Sequence, residues 1–188
     1  MSNPAPPRWV EPYAPHAWTD KEIPDYDTLN LYLRDYSDYL LQPPMCKVHA
    51  TTVQAISNAY WWQVNFGAED FDNDSMWDQS GIITIHTAGY YVGNASICYA
   101  TGQTGGGTGY RWQTLYSSRD GGDIASSGEW AETSGYTKRL GVVFGPIRLD
   151  KGNYILLRAY QNSGYALNTN ATDLEFASDF YCKWIGPA

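Results

Sequence analysis

The sequence is poor in charge and poorer still in basic clusters. Only 17% of its 188 residues are charged, and 20 Asp and Glu against 12 Lys and Arg leave a net charge of −8. No basic run is longer than the pair Lys138-Arg139. A phosphate backbone would find no cationic stripe here, so a nucleic-acid partner is excluded. Long apolar runs are missing too: nothing approaches the roughly 20 apolar residues of a membrane-spanning helix. The start, Met1-Ser-Asn-Pro-Ala-Pro-Pro7, has neither the basic opening nor the apolar stretch of a secretion signal. The expectation is a soluble chain made in the cytoplasm, without a membrane partner. Cysteine is scarce as well. Cys46, Cys98 and Cys182 are far apart, with no C-x-x-C pair and no histidine at ligand spacing, so they are expected to be small apolar residues in a reduced compartment.

Glycine is absent until Gly67, whereas six of the ten prolines fall within the first 24 residues. The chain therefore changes character along its length. Residues 1–24 have no hydrophobic period, and their prolines favour extended backbone without ladder hydrogen bonds. They nonetheless carry Trp9, Tyr13 and Trp18, which suit an anchoring arm docked in a groove on another protein. The plainer alternative is a disordered tail. From Asp25 the pattern becomes helical: Asp25 can cap, Asp27 sits in the first turn, and Pro43-Pro44 forbids continuation. A helix over 25–41 is expected, with Tyr26, Leu29, Leu33, Tyr36 and Leu40 spaced 3, 4, 3, 4 as a heptad seam. At about 1.5 Å per residue it is roughly 25 Å long, too short to coil stably alone. The seam packs on its own domain or bundles with copies of itself. Residues 25–44 are taken as helix and Pro-Pro linker, and 45–188 as the main domain.

Beyond Pro44 the periodicity is that of strands, expected at 46–50, 60–66, 82–86, 90–100, 110–118, 137–144, 154–161 and 175–185. About eight strands without an intervening amphipathic helix define an all-β fold. Its sheet must cover itself, as in a sandwich or jelly roll.

Catalytic groupings are sparse. The stretch Gly102–Gly109 is glycine-rich but lacks a following Lys-Ser/Thr and precedes a strand, which suits a turn rather than a phosphate cradle. His16, His49 and His86 are scattered, and neither HExxH nor G-x-S-x-G occurs. The acidic segment Glu69–Asp78 offers oxygen ligands at short spacing, yet Ser75 and Gly81 stand where an EF-hand needs Gly and a carboxylate. A calcium loop of another kind and a set of Asx turns both remain open. Asp120, Asp123, Glu129 and Glu132 would be the carboxylates of a glycosidase, and they are read as surface residues in a loop after strand 110–118. No enzyme and no cofactor are expected. Aromatics are the positive signal: eight Trp, sixteen Tyr and five Phe exceed what a core of this size absorbs and suit an interface.

Three segments carry a resemblance. Phe71-Asp-Asn-Asp-Ser-Met-Trp-Asp-Gln-Ser-Gly-Ile-Ile-Thr-Ile-His-Thr-Ala-Gly-Tyr-Tyr-Val92 resembles the F-D-x-x-x-M-W … A-G-x-Y pattern of C1q/TNF-like jelly-roll domains in tailed-bacteriophage structural proteins. Arg148-Leu-Asp-Lys-Gly-Asn-Tyr-Ile-Leu-Leu-Arg-Ala-Tyr-Gln-Asn-Ser-Gly164 resembles a later element of those domains, with Asn153 where Asp is frequent. The helical segment 25–44 is similar to the attachment segment that precedes them. His86 departs from the pattern, since Pro is common just beyond that strand. Together the segments span most of residues 9–186, and their order makes the likeness specific.

The resemblance implies a non-enzymatic homotrimer on a virion, as a minor tail or capsid-decorating protein. Its N-terminal segment would hold other virion proteins and its jelly roll would face outward. It aligns Tyr91, Ala95, Ile97 and Tyr99 with the sandwich core. Val92, Asn94, Ser96 and Cys98 then face a neighbouring subunit, joined by Val142 and Phe144. The alternative reading is a receptor- or carbohydrate-binding module that uses aromatics near Gly102–Gly109, such as Tyr110, Trp130 and Tyr136, on host-surface glycan.

Overall fold

Alternation builds most of this molecule. In a computed structural model, residues 25–29, 37, 41–100, 109–131, 138–171 and 177–187 are described. They contain a short helix α1 (Tyr26–Leu29) and strands β1 (Met45–His49), β2 (Ala55–Ile56), β3 (Trp62–Gln63), β4 (Ala68–Asp72), β5 (Ile82–Thr84), β6 (Gly89–Tyr99), β7 (Gly109–Ser117), β8 (Gly122–Ala131), β9 (Lys138–Leu149), β10 (Tyr154–Gln161), β11 (Leu167–Asn168) and β12 (Asp179–Gly186). In β1, Cys46 and Val48 are buried while Met45, Lys47 and His49 are half-buried; in β12, Phe180, Cys182 and Trp184 are the inward set. That period of two gives each strand one core face and one outer face.

Two antiparallel sheets result. The first runs β4-β1-β12-β6-β9; the second runs β3-β10-β7-β8, with β5 also paired to β10. β2 and β11 form a separate two-stranded ribbon. The sheets close on one core in which Tyr91, Ile97, Tyr99, Leu115, Leu157 and Phe180 are buried. The jelly-roll sandwich expected from the sequence is the observed fold.

Local departures have local causes. β9 continues past Phe144 to Leu149 in spite of Pro146, which is possible because β9 is an edge strand and a missing N–H there interrupts no inner ladder. Pro43 and Pro44 are buried, and Pro44 O accepts the N–H of Trp184 at 2.8 Å. The Pro-Pro segment thus continues β1 beside β12, where it serves as an acceptor only. β8 was expected as a loop and is a ten-residue strand paired along β7 from Ser117↔Gly122 to Gly109↔Ala131. Asp123 and Glu129 are therefore strand residues. The segment 68–72 is likewise a strand, pairing β1. Of the helix expected over 25–41, residues 26–29, 37 and 41 are helical. Leu33, Tyr36 and Leu40 lie outside the described residues, as do Trp9, Tyr13 and Trp18 and the backbone of 101–108.

Candidate functional site

The outer face of the first sheet gathers several of the residues that the sequence reading expects to face a neighbouring subunit. Register places Phe71, Lys47, Tyr181, Asn94 and Val143 side by side across β4, β1, β12, β6 and β9. A second row contains His49, Asp179, Ser96 and Gly141. Val143 is 74% exposed and Phe71 37% exposed. Phe71 meets Tyr181 edge-on, ring centroids 6.1 Å apart. Val92, half-buried, sits opposite Lys183 on the same face.

Two ionic clusters adjoin this row, one of them through Lys47 within it. A bulge in the β1–β4 pairing, between Lys47 and Val48, leaves Asp70 unpaired. The extra residue turns its carboxylate to the Lys47 ammonium at 2.6 Å and the His49 Nδ1 at 3.0 Å. Hydrogen bonding from Lys47 is the main reason that Asp70 titrates below its ordinary value, with the Lys47 charge and His49 adding to it against a burial effect of opposite sign. On the other side, Arg139 Nη2 donates to Asp179 at 2.8 Å and its Nε to Ser96 Oγ at 2.9 Å, while Ser96 Oγ donates to Asp179 at 2.5 Å.

Val92 and Asn94 lie on this outer face as expected. Ser96 is also on this face but is buried beneath Arg139 and Asp179. Val142 and Phe144 do not: both are buried in the core. The reason is register. Val142 pairs Ala95 and Phe144 pairs Gly93, and residues directly opposite in a ladder point to the same side, here the inner one. Gly93 is required there, because a Cβ on it would stand 2.6 Å from the Phe144 ring and 2.2 Å from Tyr181 O. Val143 is the outward residue, and Phe71, Tyr181, Asp70 and Arg139 are members of the face that the sequence did not single out. The available signal was the triplet Val142-Val143-Phe144: burying Phe144 obliges Val143 to face out. Tyr26 is 75% exposed, and Leu29 is helical in backbone; the side chain of Leu29 and the rest of the seam lie outside the described residues.

The acidic segment is committed to its own turns. Asp72 accepts the N–H groups of Met76 and Trp77 at 2.9 and 2.8 Å, and Asp78 accepts those of Ser80 and Ile82 at 2.9 and 3.1 Å. Asn73 bridges Met45 N–H and Pro43 O. Burial holds the Asp74 carboxyl above its ordinary range, partly opposed by Thr87 and His86. Asp120 pairs with Arg119 and Asp123 with Arg158; Glu132 is outside the described residues. All three cysteines are free and buried, with burial the main cause that pushes the Cys182 thiol up to about 12.

No protein-family model matches the chain, and no curated protein matches it in sequence. Solved structures do match its fold. The globular domain of zebrafish complement 1qA protein superposes with a TM-score of 0.53 at 14% identity, over 77% of this chain and 99% of that one. Murine APRIL, in a crystal structure at pH 5.0, matches at 0.53 and 8% identity, over 74% and 98%. Eiger TNF from S. frugiperda matches at 0.52 and 12% identity, over 77% and 94%. Likeness at such low identity concerns the fold, and the fold is a C1q/TNF-like jelly roll.

Proposed function

We propose that this chain is a non-enzymatic, homotrimeric structural or binding protein whose subunits meet through the outer face of the first sheet. The supporting observation is the row Phe71, Lys47, Tyr181, Asn94 and Val143, with Val92 beside it, whose Lys47–Asp70 pair and neighbouring Arg139–Asp179 pair already satisfy their own charges. Burying an apolar side chain of this size stabilises by about 1.5–3 kcal/mol. Lys47 with Asp70 and Arg139 with Asp179 are internally neutralised, so a neighbour can cover them without stranding a single charge. The fold shared with C1q and TNF domains fits self-association of this kind.

In its finer form, the reading makes this a virion protein of a tailed phage, minor tail or capsid-decorating, with Trp9, Tyr13 and Trp18 in an N-terminal anchor. That rests on the order of the three resembling segments. The absence of catalysis rests on the carboxylates: Asp120 and Asp123 are engaged by arginines, and Asp72 and Asp78 by backbone N–H groups. Light scattering of the full chain at micromolar concentration should give about three times the 21.1 kDa chain mass. A monomer or a dimer would overturn the trimer.

A further inference from the structure

The outer face of the second sheet has a different chemistry from that of the first. Its exposed large apolar side chains, counting the residue that leads into β3, are Trp61, Tyr110 and Trp112, all aromatic and all with a polar tip. The exposed set on the first sheet includes Val143, Phe71 and Ile185. A face that presents flat rings and hydrogen-bonding tips without aliphatic branches suits a ligand with apolar C–H surfaces edged by hydroxyl groups.

We propose that this face is a carbohydrate-binding platform on which Trp61, Tyr160 and Trp112 stack against the sugar rings of a neutral oligosaccharide. The three residues lie in a line across the strands. Tyr160 is directly opposite Trp112 in the β10–β7 ladder, and the Trp61 ring is 5.2 Å from that of Tyr160. With strands about 4.8 Å apart, the line offers successive rings to successive sugar units.

The platform is preorganised at both ends. Trp112 faces Gly128 on β8, where a Cβ would lie 3.2 Å from its Cγ and 3.4 Å from its Cδ2. The indole therefore lies across the glycine, and Trp112 remains 44% exposed. At the other end the Arg158 guanidinium sits 5.8 Å from the Trp61 ring centre and 4.6 Å from that of Tyr116, held by an ion pair with Asp123. Rings fixed before binding lose little freedom on contact.

Two further observations select the ligand. The indole N–H groups of the core tryptophans are used, Trp77 on Ser80 O at 3.1 Å and Trp184 on Ala88 O at 3.2 Å. Those of Trp61 and Trp112 meet no protein acceptor among the described residues and are free to donate to hydroxyl oxygens. The charge excludes a polyanion: the chain carries −8, and the cation at the platform, Arg158, is already balanced by Asp123. Stacked nucleobases on a phosphate strand would be repelled, whereas a neutral glycan is not. This deepens the reading of a binding protein but does not rest on trimerisation, which uses the opposite sheet.

The test is tryptophan-fluorescence and calorimetric titration of the full chain with neutral hexasaccharides of glucose, galactose, rhamnose and N-acetylglucosamine, with single-stranded DNA as a further probe. At least one hexasaccharide is expected to bind. Trp112→Ala should weaken it by about tenfold, as loss of one stacking ring implies, and Trp112→Phe should restore most of it. Val143→Arg, on the other sheet, should leave the affinity per subunit unchanged, so failure of the trimer and failure of the platform read out separately. Binding to none of the hexasaccharides, binding indifferent to Trp112→Ala and Trp61→Ala, or tighter binding of the DNA would each overturn the proposal.

Discussion

Val143 and Phe144 are neighbours in sequence with opposite surroundings, and their substitutions should part accordingly. Phe144 is in the core against Gly93, so Phe144→Ala removes a buried ring and leaves a cavity. The expected cost is about 3–5 kcal/mol in denaturant unfolding. Val143→Ala should leave the folding of a subunit nearly unchanged, because the side chain is exposed within it. Equal effects of the two would show that the strand is in the other register. The sequence made the inward set of β6 legible: Tyr91, Ala95, Ile97 and Tyr99 are all buried. It misassigned Val142 and Phe144 because the facing of β9 depends on its cross-strand pairing with β6, which includes a register shift between Tyr91 and Gly93. The triplet Val142-Val143-Phe144 marks the alternation locally, while the side that turns inward is set by that long-range pairing.

At the scale of the strand, β4 and β8 explain what was missed. β4 reads Ala-Glu-Asp-Phe-Asp and exposes most of its side chains, so no apolar alternation announces it. Its strand character comes from pairing with β1 and from the bulge that aims Asp70 at Lys47. β8 contains Ser126-Ser127-Gly128 and an Asp-Gly-Gly lead-in, composition that suits a loop, yet the adjacent β7 supplies a full ladder partner. β10, by contrast, was legible to the residue, since Tyr154–Gln161 buries Ile155, Leu157, Ala159 and Gln161 on one face.

The β4–β1 edge also carries a pH dependence. The folded state lowers the Asp70 value, chiefly through the Lys47 hydrogen bond. Its contribution is therefore present above the unfolded carboxylate value and is lost as pH falls through the folded one. Being partly exposed, it is worth under about 1 kcal/mol. Asp70→Asn should cost up to that amount near neutrality and progressively less as the pH falls through the lowered value of the folded carboxylate, measured by unfolding across pH. An equal deficit at both ends would mean that the carboxylate charge contributes nothing.

For the whole molecule, the two sheets present different outer faces: one mixes aliphatic and aromatic side chains with satisfied ion pairs, and the other is aromatic. The fold class was legible because no amphipathic helix was available to cover a sheet beyond Pro44. The division of faces was not, because it depends on which strands neighbour one another. The account stands on the first face being the one that subunits share. Sedimentation velocity of Val143→Arg beside the unaltered chain and Trp112→Arg tests this most directly. The expected result is a trimer for the unaltered chain and for Trp112→Arg, and a folded monomer for Val143→Arg. A Val143→Arg protein that still sediments as a trimer, or a Trp112→Arg protein that falls apart, would contradict the assignment.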